Sequence, residues 1–363
     1  MQQLTLMKLK LFCILLMLSI APEIYSQSIH GFADSIRRKY HIPELAVAVV
    51  SADKVLELDV LGTKKINSKM AAEKNDRFRI GSNTKTVTGF IAGQLVKEGK
   101  LRWDTKFFEL FPEMKPGSDP AYYDLTLLNL LSFRTRLPRY TYTDAKPVKE
   151  QFPGNEGEQR YQFMKWFFTQ KPVATKSETN FSNLGYVAAG LMMEKVTGKS
   201  YKQLVTDLGS QLGIDFQFGP PNSTDTLQPW GHDSQLVPEA PGNNYKLEWL
   251  LAAGNINVSL PDYVKFIQLQ LNGLSGKSTL LSADEFKFLH YGLSNFAVGW
   301  FQEVNKQGER YSHHTGNPGT FLSEVYVFGD KDRGYILFAN VQSDEASEGL
   351  SLIYNEMKKR YGK

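Results

Sequence analysis

Cysteine is almost absent from this chain of 363 residues, because the only one is Cys13. It lies in the apolar run of residues 11–22, which lacks the small residues that usually precede a lipidated cysteine. If that run is removed, the remaining chain has no disulfide, no thiol nucleophile and no zinc site built on cysteine.

A run long enough to cross a membrane is also missing. The apolar residues 11–22 follow Lys8 and Lys10 and are too short to span a bilayer. Residues 1–26 are therefore predicted to be a secretory signal that is cleaved after the small residue Ser26; the alternative is a membrane anchor that is retained. After cleavage no stable membrane span is expected, and a cysteine-free exported chain is typical of a bacterial periplasm or of secretion.

A strong excess of one charge is missing as well. The formal net charge is +4, and the 42 basic residues are scattered without a long block. Nucleic acid is therefore not expected as a partner. The composition, with 42% hydrophobic and 22% charged residues, is that of a globular protein and excludes disordered and collagen-like chains.

Helical and strand-like patterns follow one another in an order that predicts the fold. A helix precedes two strands that meet at a turn near Asp53, and a mostly helical middle contains a polar loop at residues 141–158. Four strand-like runs and a last helix follow. This order predicts an α/β (α+β) fold in which one antiparallel sheet, built from both chain ends and flanked by helices, carries an inserted helical lobe.

The predicted domain organisation has one domain at residues 27–363. Within it we expect an α/β lobe at about residues 28–80 and 290–363 and a helical lobe at about 81–289.

Ser82 precedes Lys85 by three residues in the stretch RFRIGSNTKTVTGF, where a helical pattern begins. Positions i and i+3 share one face of a helix, so the lysine can reach the hydroxyl. A serine becomes a nucleophile when a base takes its proton, and a lysine is such a base when burial lowers its pKa. Backbone N–H groups at a helix start also face developing negative charge.

The Ser-x-x-Lys pattern is weak by itself, since it should occur about once or twice by chance in such a chain. It occurs again from Ser51 to Lys54 in the predicted hairpin turn, where we expect no function. The alternative for Ser82 is a helix N-cap.

Two further elements lie downstream. In NFSNLGY, Asn183 is placed to orient a lysine or to hydrogen-bond a substrate amide, and its alternative is another N-cap. In HHTGNPGTF, the glycines allow close approach of a substrate, and an N–H after the glycine can complete an oxyanion hole. The alternative is a strand turn with a solvated histidine pair. His313 and His314 point to opposite faces of a strand, so no metal site and no cofactor are expected.

In this order the three elements resemble the serine β-lactamase and penicillin-binding-protein superfamily, and most closely its branch of class C β-lactamases, D-amino-peptide carboxypeptidases and esterases. FRIGSNTK is similar to the nucleophile motif, NFSN to the Tyr-x-Asn motif and HTG to the Lys-Thr-Gly or His-Thr-Gly motif. The resemblance extends from about Ser28 to the end of the chain, and three ordered motifs are far more specific than one.

The resemblance implies catalytic roles for four residues: Ser82, Lys85, Asn183 and His314. Ser82 matches the acylated nucleophile, and Lys85 matches the lysine that shares its proton. The resemblance implies substrate contacts for four more: Thr315, Gly316, Asn317 and Phe181. The strand motif would meet a substrate carboxylate, and the N–H groups of Ser82 and Asn317 would form the oxyanion hole.

The sequence departs from this branch at the position of its tyrosine, where Phe181 has no proton to exchange. Ser182 is expected to point elsewhere, and Tyr186 lies one helical turn away. In residues 132–138, SFRTRLP replaces a small, glycine-containing turn. Its Arg134 and Arg136 are interpreted as exposed arginines or as holders of a carboxylate.

Two hypotheses follow. The first is an exported serine hydrolase that forms an acyl-enzyme at Ser82 and cleaves an amide or ester: a D-amino-acid peptide, a β-lactam or a small ester. The second is a catalytically degraded member that binds a peptide or cell-wall fragment without turnover, which Phe181 and the arginine-containing loop suggest.

Overall fold

A computed structural model of the chain describes residues 28–242 and 244–362. The predicted signal at residues 1–26 lies outside the described residues. In the described ranges the secondary structure comprises nine strands and twelve α-helices, which are numbered here in chain order. No helix within these ranges is both long and apolar enough to cross a membrane.

The larger sheet has six antiparallel strands in the order β2-β1-β9-β8-β7-β6. The strands are β1 (Glu44–Val50), β2 (Val55–Gly62), β6 (Phe301–Val304), β7 (Arg310–Gly316), β8 (Leu322–Phe328) and β9 (Arg333–Ala339). Strand β1 from the start of the chain pairs with β9 near its end, with Leu45 opposite Ala339. The prediction of one antiparallel sheet built from both chain ends is therefore confirmed.

A smaller sheet was not predicted from the sequence. It has three strands in the order β3-β5-β4: β3 (Arg77–Arg79), β4 (Gln217–Phe218) and β5 (Ile256–Ser259). Strands of two to four residues carry too little alternation to be recognised in sequence. Strand β3 leads directly into the stretch that contains Ser82.

Helices cover the large sheet and fill the middle of the chain. The helices are α1 (His30–Lys39), α2 (Thr84–Lys97), α3 (Phe107–Leu110), α4 (Leu127–Leu131), α5 (Glu156–Phe168), α6 (Asn183–Thr197), α7 (Tyr201–Leu212), α8 (Tyr245–Trp249), α9 (Leu251–Gly254), α10 (Leu260–Leu274), α11 (Ala283–Tyr291) and α12 (Asp344–Tyr361). The mostly helical middle that the sequence predicted is present. The lobe boundaries near residues 80 and 290 stay a prediction.

Strand β1 is buried along its whole length because helices cover both faces of the sheet. Its odd positions, such as Leu45 and Val47, pack in one cluster with α1 and α12, and its even positions, such as Ala46 and Ala48, pack in another with α10. A strand buried on both faces has a nearly continuous apolar sequence, as LAVAVV shows after the buried Glu44.

The predicted polar loop at residues 141–158 ends earlier than expected. Asn155 accepts hydrogen bonds from the backbone N–H groups of Gly157 and Glu158, and this cap starts α5 at Glu156. A short 3₁₀ turn, Lys149–Gln151, interrupts the rest. The start of this loop, at Thr141 and Tyr142, lies against the site described next.

Candidate active site

Ser82 lies in a 3₁₀ turn, Gly81–Asn83, that connects the end of β3 to the start of α2. No side chain caps the start of either the turn or the helix, so the interpretation of Ser82 as an N-cap is wrong. The half-buried Ser82 instead faces Lys85, one turn further along the same face.

Lys85 is fully buried, and its Nζ has two polar neighbours. It lies 2.9 Å from Ser82 Oγ and donates a hydrogen bond to the carbonyl oxygen of Ala253 at 2.7 Å. Burial disfavours the charged form and lowers the pKa of Lys85 to about 7. Near neutral pH a large share of this lysine is therefore an uncharged amine, whose lone pair can accept the serine proton.

The second Ser-x-x-Lys stretch has a different local structure. Ser51 Oγ donates to the carboxylate of Asp53 at 2.8 Å and accepts from the backbone N–H of Lys54 at 3.1 Å. Lys54 is exposed in the turn between β1 and β2. In this second stretch the Ser51 hydroxyl therefore stabilises the predicted hairpin turn, and its bond to Lys54 is to the backbone N–H.

Asn183 is the first residue of α6, and the helix is capped by its neighbour. Ser182 Oγ accepts from the backbone N–H of Leu184 at 3.3 Å and donates to the carbonyl oxygen of Pro138 at 2.7 Å. The N-cap alternative for Asn183 is therefore wrong, and Ser182 does point elsewhere as expected. The amide of Asn183 is held by a 2.8 Å bond from Nδ2 to the carbonyl oxygen of Tyr140.

Phe181, which the resemblance aligns with the family's tyrosine, places its ring over Lys85. Its ring centroid is 5.5 Å from Lys85 Nζ and 4.8 Å from the ring of Phe133. Tyr186 also contacts this lysine, with its ring centroid 5.4 Å from Nζ.

The hydroxyl of Tyr186 is not available to replace the one that Phe181 lacks. It donates to the carbonyl oxygen of Leu131 at 2.6 Å and is fully buried. Burial raises the pKa of Tyr186 well above its usual value. This phenol therefore acts as a structural hydrogen-bond donor.

The two adjacent histidines of β7 lie on opposite faces of the sheet. His313 is half-buried and lies 3.4 Å from the carboxylate of Glu303, whereas His314 is buried against the site. His314 Nδ1 lies 2.9 Å from the carbonyl oxygen of Thr315, and Nε2 has no hydrogen-bond partner among the described residues. Burial, together with the charge of Lys85, lowers the pKa of His314 to about 3.

The end of β7 approaches the serine turn closely because two glycines make room for it. A Cβ atom on Gly316 would lie 1.9 Å from the carbonyl oxygen of Ile80, and one on Gly81 would lie 2.7 Å from the backbone nitrogen of Asn317. Gly81 also has φ +48°, which favours glycine. Ser82 and Asn317, whose N–H groups the resemblance assigns to the oxyanion hole, both line the cavity at this junction.

A cavity of about 240 Å³ lies between these elements. Six of the eight predicted residues line it: Ser82, Phe181, Asn183, His314, Thr315 and Asn317. The other two do not line the cavity: Lys85 contacts it through Ser82, and Gly316 packs against the backbone of Ile80. The structure adds wall residues that sequence reasoning missed: Tyr142, Leu247, Leu250, Ala253, Gly254, Phe301 and Pro318. Two of them lie in stretches that the sequence had marked: Tyr142 in the polar loop at residues 141–158, and Pro318 in HHTGNPGTF.

The arginines of residues 132–138 do not face the cavity. Arg134 is mostly buried, forms an ion pair with Glu178 at 3.0 Å and donates to the carbonyl oxygens of Ser294 and Phe296. The interpretation of Arg134 as an exposed arginine is therefore wrong, and the carboxylate that it holds is that of Glu178 in the same chain. Arg136 is exposed, as expected, and has one bond to a carbonyl oxygen.

The antiparallel sheet and the helices inserted into it have the β-lactamase/transpeptidase fold. The sequence profile described as Beta-lactamase matches residues 29–353, so the chain belongs to the β-lactamase family. Among described residues no group of three or more potential ligands could hold a metal ion.

Several known proteins are similar to this chain in sequence or in structure, at low sequence identity. The chain is 24% identical over 331 residues to protein Flp of Staphylococcus aureus (strain MW2), covering 88% of this chain and 64% of Flp. The chain thus spans less than two thirds of the length of this curated relative. An octameric penicillin-binding protein homologue from Pyrococcus abyssi has a TM-score of 0.72 and 19% identity, covering 90% of this chain and 77% of the other. The D-alanine carboxypeptidase AmpC from Burkholderia cenocepacia has a TM-score of 0.70 and 17% identity, covering 90% and 97%.

Proposed function

We propose that this protein is an exported serine hydrolase that forms an acyl-enzyme at Ser82 and cleaves an ester or amide. The observation that carries the proposal is the 2.9 Å contact between Ser82 Oγ and the buried amine of Lys85. A nucleophile within hydrogen-bond distance of a base whose pKa is near neutral is the arrangement that nucleophilic catalysis requires.

The arrangement supports two half-reactions. In the first, Lys85 accepts the proton of Ser82 while Oγ attacks the substrate carbonyl carbon, and the N–H groups of Ser82 and Asn317 stabilise the oxyanion. The bond to the leaving group then breaks, and Lys85 returns the proton to that group. In the second, water attacks the acyl-enzyme carbonyl, the carbon–Oγ bond breaks, and the hydroxyl of Ser82 re-forms.

Asn183 and Ala253 have positioning roles in this proposal. The carbonyl oxygen of Ala253 holds one hydrogen of the lysine amine and so aims its lone pair at Ser82. Asn183 lines the cavity, and its Nδ2 is engaged by the carbonyl oxygen of Tyr140, so in this proposal its amide oxygen is the acceptor for a substrate N–H.

The competing hypothesis is a member that binds its ligand without turnover. Phe181 favours it, because one acid–base group typically contributes about 100- to 10,000-fold to a rate. Such a loss slows a hydrolase without abolishing acylation. A buried lysine with a lowered pKa is costly to keep in a protein that only binds, and this argues for catalysis.

The proposal is tested by incubating the protein with a fluorophosphonate and measuring the intact mass. A single adduct is expected on the wild type and on Ser51→Ala, the control in the second Ser-x-x-Lys stretch, and none on Ser82→Ala. No adduct at any pH from 6 to 9 would sink the proposal in favour of the binding hypothesis.

A further inference from the structure

Charged side chains are absent from the wall of the cavity at Ser82, as far as the described residues define it. Away from the catalytic groups the wall is largely apolar: Tyr142, Leu247, Leu250, Phe301 and Pro318. An anion that entered would lose its hydration without gaining a counter-ion, which is strongly unfavourable.

His314 does not supply that counter-ion, because its buried ring has no carboxylate within hydrogen-bond distance among the described residues and burial disfavours its charged form. A carbonyl oxygen only accepts hydrogen bonds, so the 2.9 Å contact with Thr315 requires the proton to be on His314 Nδ1. In the neutral ring Nε2 is then a bare acceptor, and it is buried without a partner among described residues. Two acceptors repel each other, so this face of His314 disfavours a carboxylate.

Three cations near the cavity are also unsuitable. The buried Arg79, whose charge acts on the wall residue Tyr142, is paired with the carboxylate of Glu239 at 3.6 Å. Lys85 Nζ already contacts Ser82 Oγ and the carbonyl oxygen of Ala253. As the proposed base, Lys85 must be uncharged when it accepts the serine proton. Arg139 is exposed and its guanidinium lies 5.6 Å from the ring centroid of Phe181, but it is not part of the cavity wall. A carboxylate next to the scissile bond therefore has no fixed cationic partner among the described residues of the cavity wall.

We propose that this site selects uncharged esters or amides with a small acyl group, and rejects substrates that carry a carboxylate beside the scissile bond. The inference rests on the proposed function and narrows its substrate class. It reverses the expectation that the His-Thr-Gly strand meets a substrate carboxylate, and it disfavours β-lactams and peptides with a free carboxyl end. The cavity of about 240 Å³ is smaller than the roughly 300–1,000 Å³ of typical ligand pockets, which limits the acyl group.

For an ester the reaction balances without any co-reactant other than water. Ser82 Oγ bonds to the acyl carbon, the bond from that carbon to the alcohol oxygen breaks, and the alcohol leaves with the serine proton by way of Lys85. Water then releases the carboxylic acid and restores Ser82. The acid is a charged product that this cavity holds poorly, so product release is favoured.

The test compares two acetyl esters that differ only in charge: that of 3-hydroxybenzoate, and that of methyl 3-hydroxybenzoate. Release of the phenol is followed by absorbance, and each kcat/KM is divided by the rate of hydroxide hydrolysis of the same ester. The neutral ester is expected to be preferred by tenfold or more. A preference for the charged ester by the wild type, with Ser82 still labelled by the fluorophosphonate, overturns this inference and leaves the proposed function standing.

Variants locate the origin of the preference. His314→Lys places a cation where the acceptor nitrogen lies and is expected to shift the ratio at least tenfold toward the charged ester, whereas the neutral His314→Gln should not. Arg139→Gln is expected to change the ratio less than twofold. A charged-ester preference that disappears in Arg139→Gln would show that the rim arginine provides a carboxylate site, which contradicts the inference.

Discussion

The Nζ atom of Lys85 lies 5.5 Å from the ring centroid of Phe181, and no hydroxyl joins them. The face of the ring makes a cation–π interaction with Lys85, worth about 0.5–2 kcal/mol when the amine is charged. The ring cannot transfer a proton. In the proposed mechanism the proton of Ser82 therefore passes to Lys85, whose Nζ lies 2.9 Å from Ser82 Oγ. The following predictions test this single-base arrangement and the structure that holds it.

Replacing Phe181 by tyrosine is expected to raise turnover by at least tenfold, because it adds a proton-transferring group beside Lys85 and one such group is worth about 100- to 10,000-fold when well placed. Steady-state hydrolysis of a neutral ester measures the effect. Phe301→Tyr is the matched control, since Phe301 also lines the cavity but lies on the edge strand β6, and it should give no gain. An unchanged rate in Phe181→Tyr would mean that the ring does not occupy the position of a proton-transferring group.

Lys85→Met keeps the buried aliphatic stem and removes the amine. Acylation of Ser82 should slow by about 100- to 10,000-fold, the usual contribution of a general base. The rate of fluorophosphonate labelling, read by intact mass, gives this value. Lys54→Met in the hairpin turn removes the equivalent lysine of the other Ser-x-x-Lys stretch and should label at the wild-type rate.

The pH dependence of acylation should follow Lys85. Only the amine form accepts the serine proton, so the rate rises as the pH increases through the lysine pKa of about 7 and then levels off. At pH 6 the amine fraction, and with it kcat/KM for a neutral ester, is about tenfold below the plateau. A midpoint near the ordinary lysine pKa would contradict this, since it would require Lys85 to be charged at neutral pH.

The elements that the sequence predicted are those that local patterns determine. Ser82 and Lys85 are three residues apart on one helix face, and the strand order follows from runs of apolar residues that need no distant partner. The backbone contacts of the site were not predictable. The carbonyl oxygen of Ala253, which holds Lys85, is 168 residues away in sequence. Every residue has a carbonyl, so its identity carries no signal for this role.

The same limit explains the error at Arg134. In sequence, Phe133 and Arg134 replace a small turn, and an arginine in a loop is usually exposed. In the structure Phe133 adopts φ +58° and its ring stacks on Phe296 at 4.2 Å. This brings the loop against residues 294–296, whose carbonyl groups accept from Arg134. A contact between segments about 160 residues apart decides the burial of this side chain.

Arg134→Met is therefore expected to destabilise the protein by about 1–3 kcal/mol, because hydrogen bonds from a charged donor contribute up to about 1.5–3 kcal/mol each and those of Arg134 are part-buried or exposed. Urea denaturation followed by circular dichroism measures the change. The control is Arg136→Met in the same loop, which is exposed and should change little. Equal stability of the two variants would show that the Arg134 contacts do not hold the loop.

His290 is a fully buried histidine whose two ring nitrogens both have polar neighbours. Its Nδ1 lies 2.6 Å from Ser312 Oγ, its Nε2 lies 3.1 Å from Gln270 Oε1, and its ring stacks on Trp300 at 4.4 Å. Burial lowers the pKa of His290 to about 3, below the value of about 6.5 expected in the unfolded chain. Between these two pH values, His290 is therefore protonated in the unfolded state and neutral in the folded state.

Stability from this residue is complete above pH 6.5 and is lost as the pH falls, by about 1.4 kcal/mol per pH unit, or about 2 kcal/mol between pH 7 and pH 5. In His290→Gln this pH-dependent part should vanish, so the difference in unfolding free energy between wild type and variant should shrink on acidification. His30→Gln is the control with the opposite sign, since Asp59 raises the pKa of the exposed His30. Its small contribution is present at low pH and lost as the pH rises. A wild-type to His290→Gln difference that is the same at pH 7 and pH 5 would show that His290 titrates normally in the folded state.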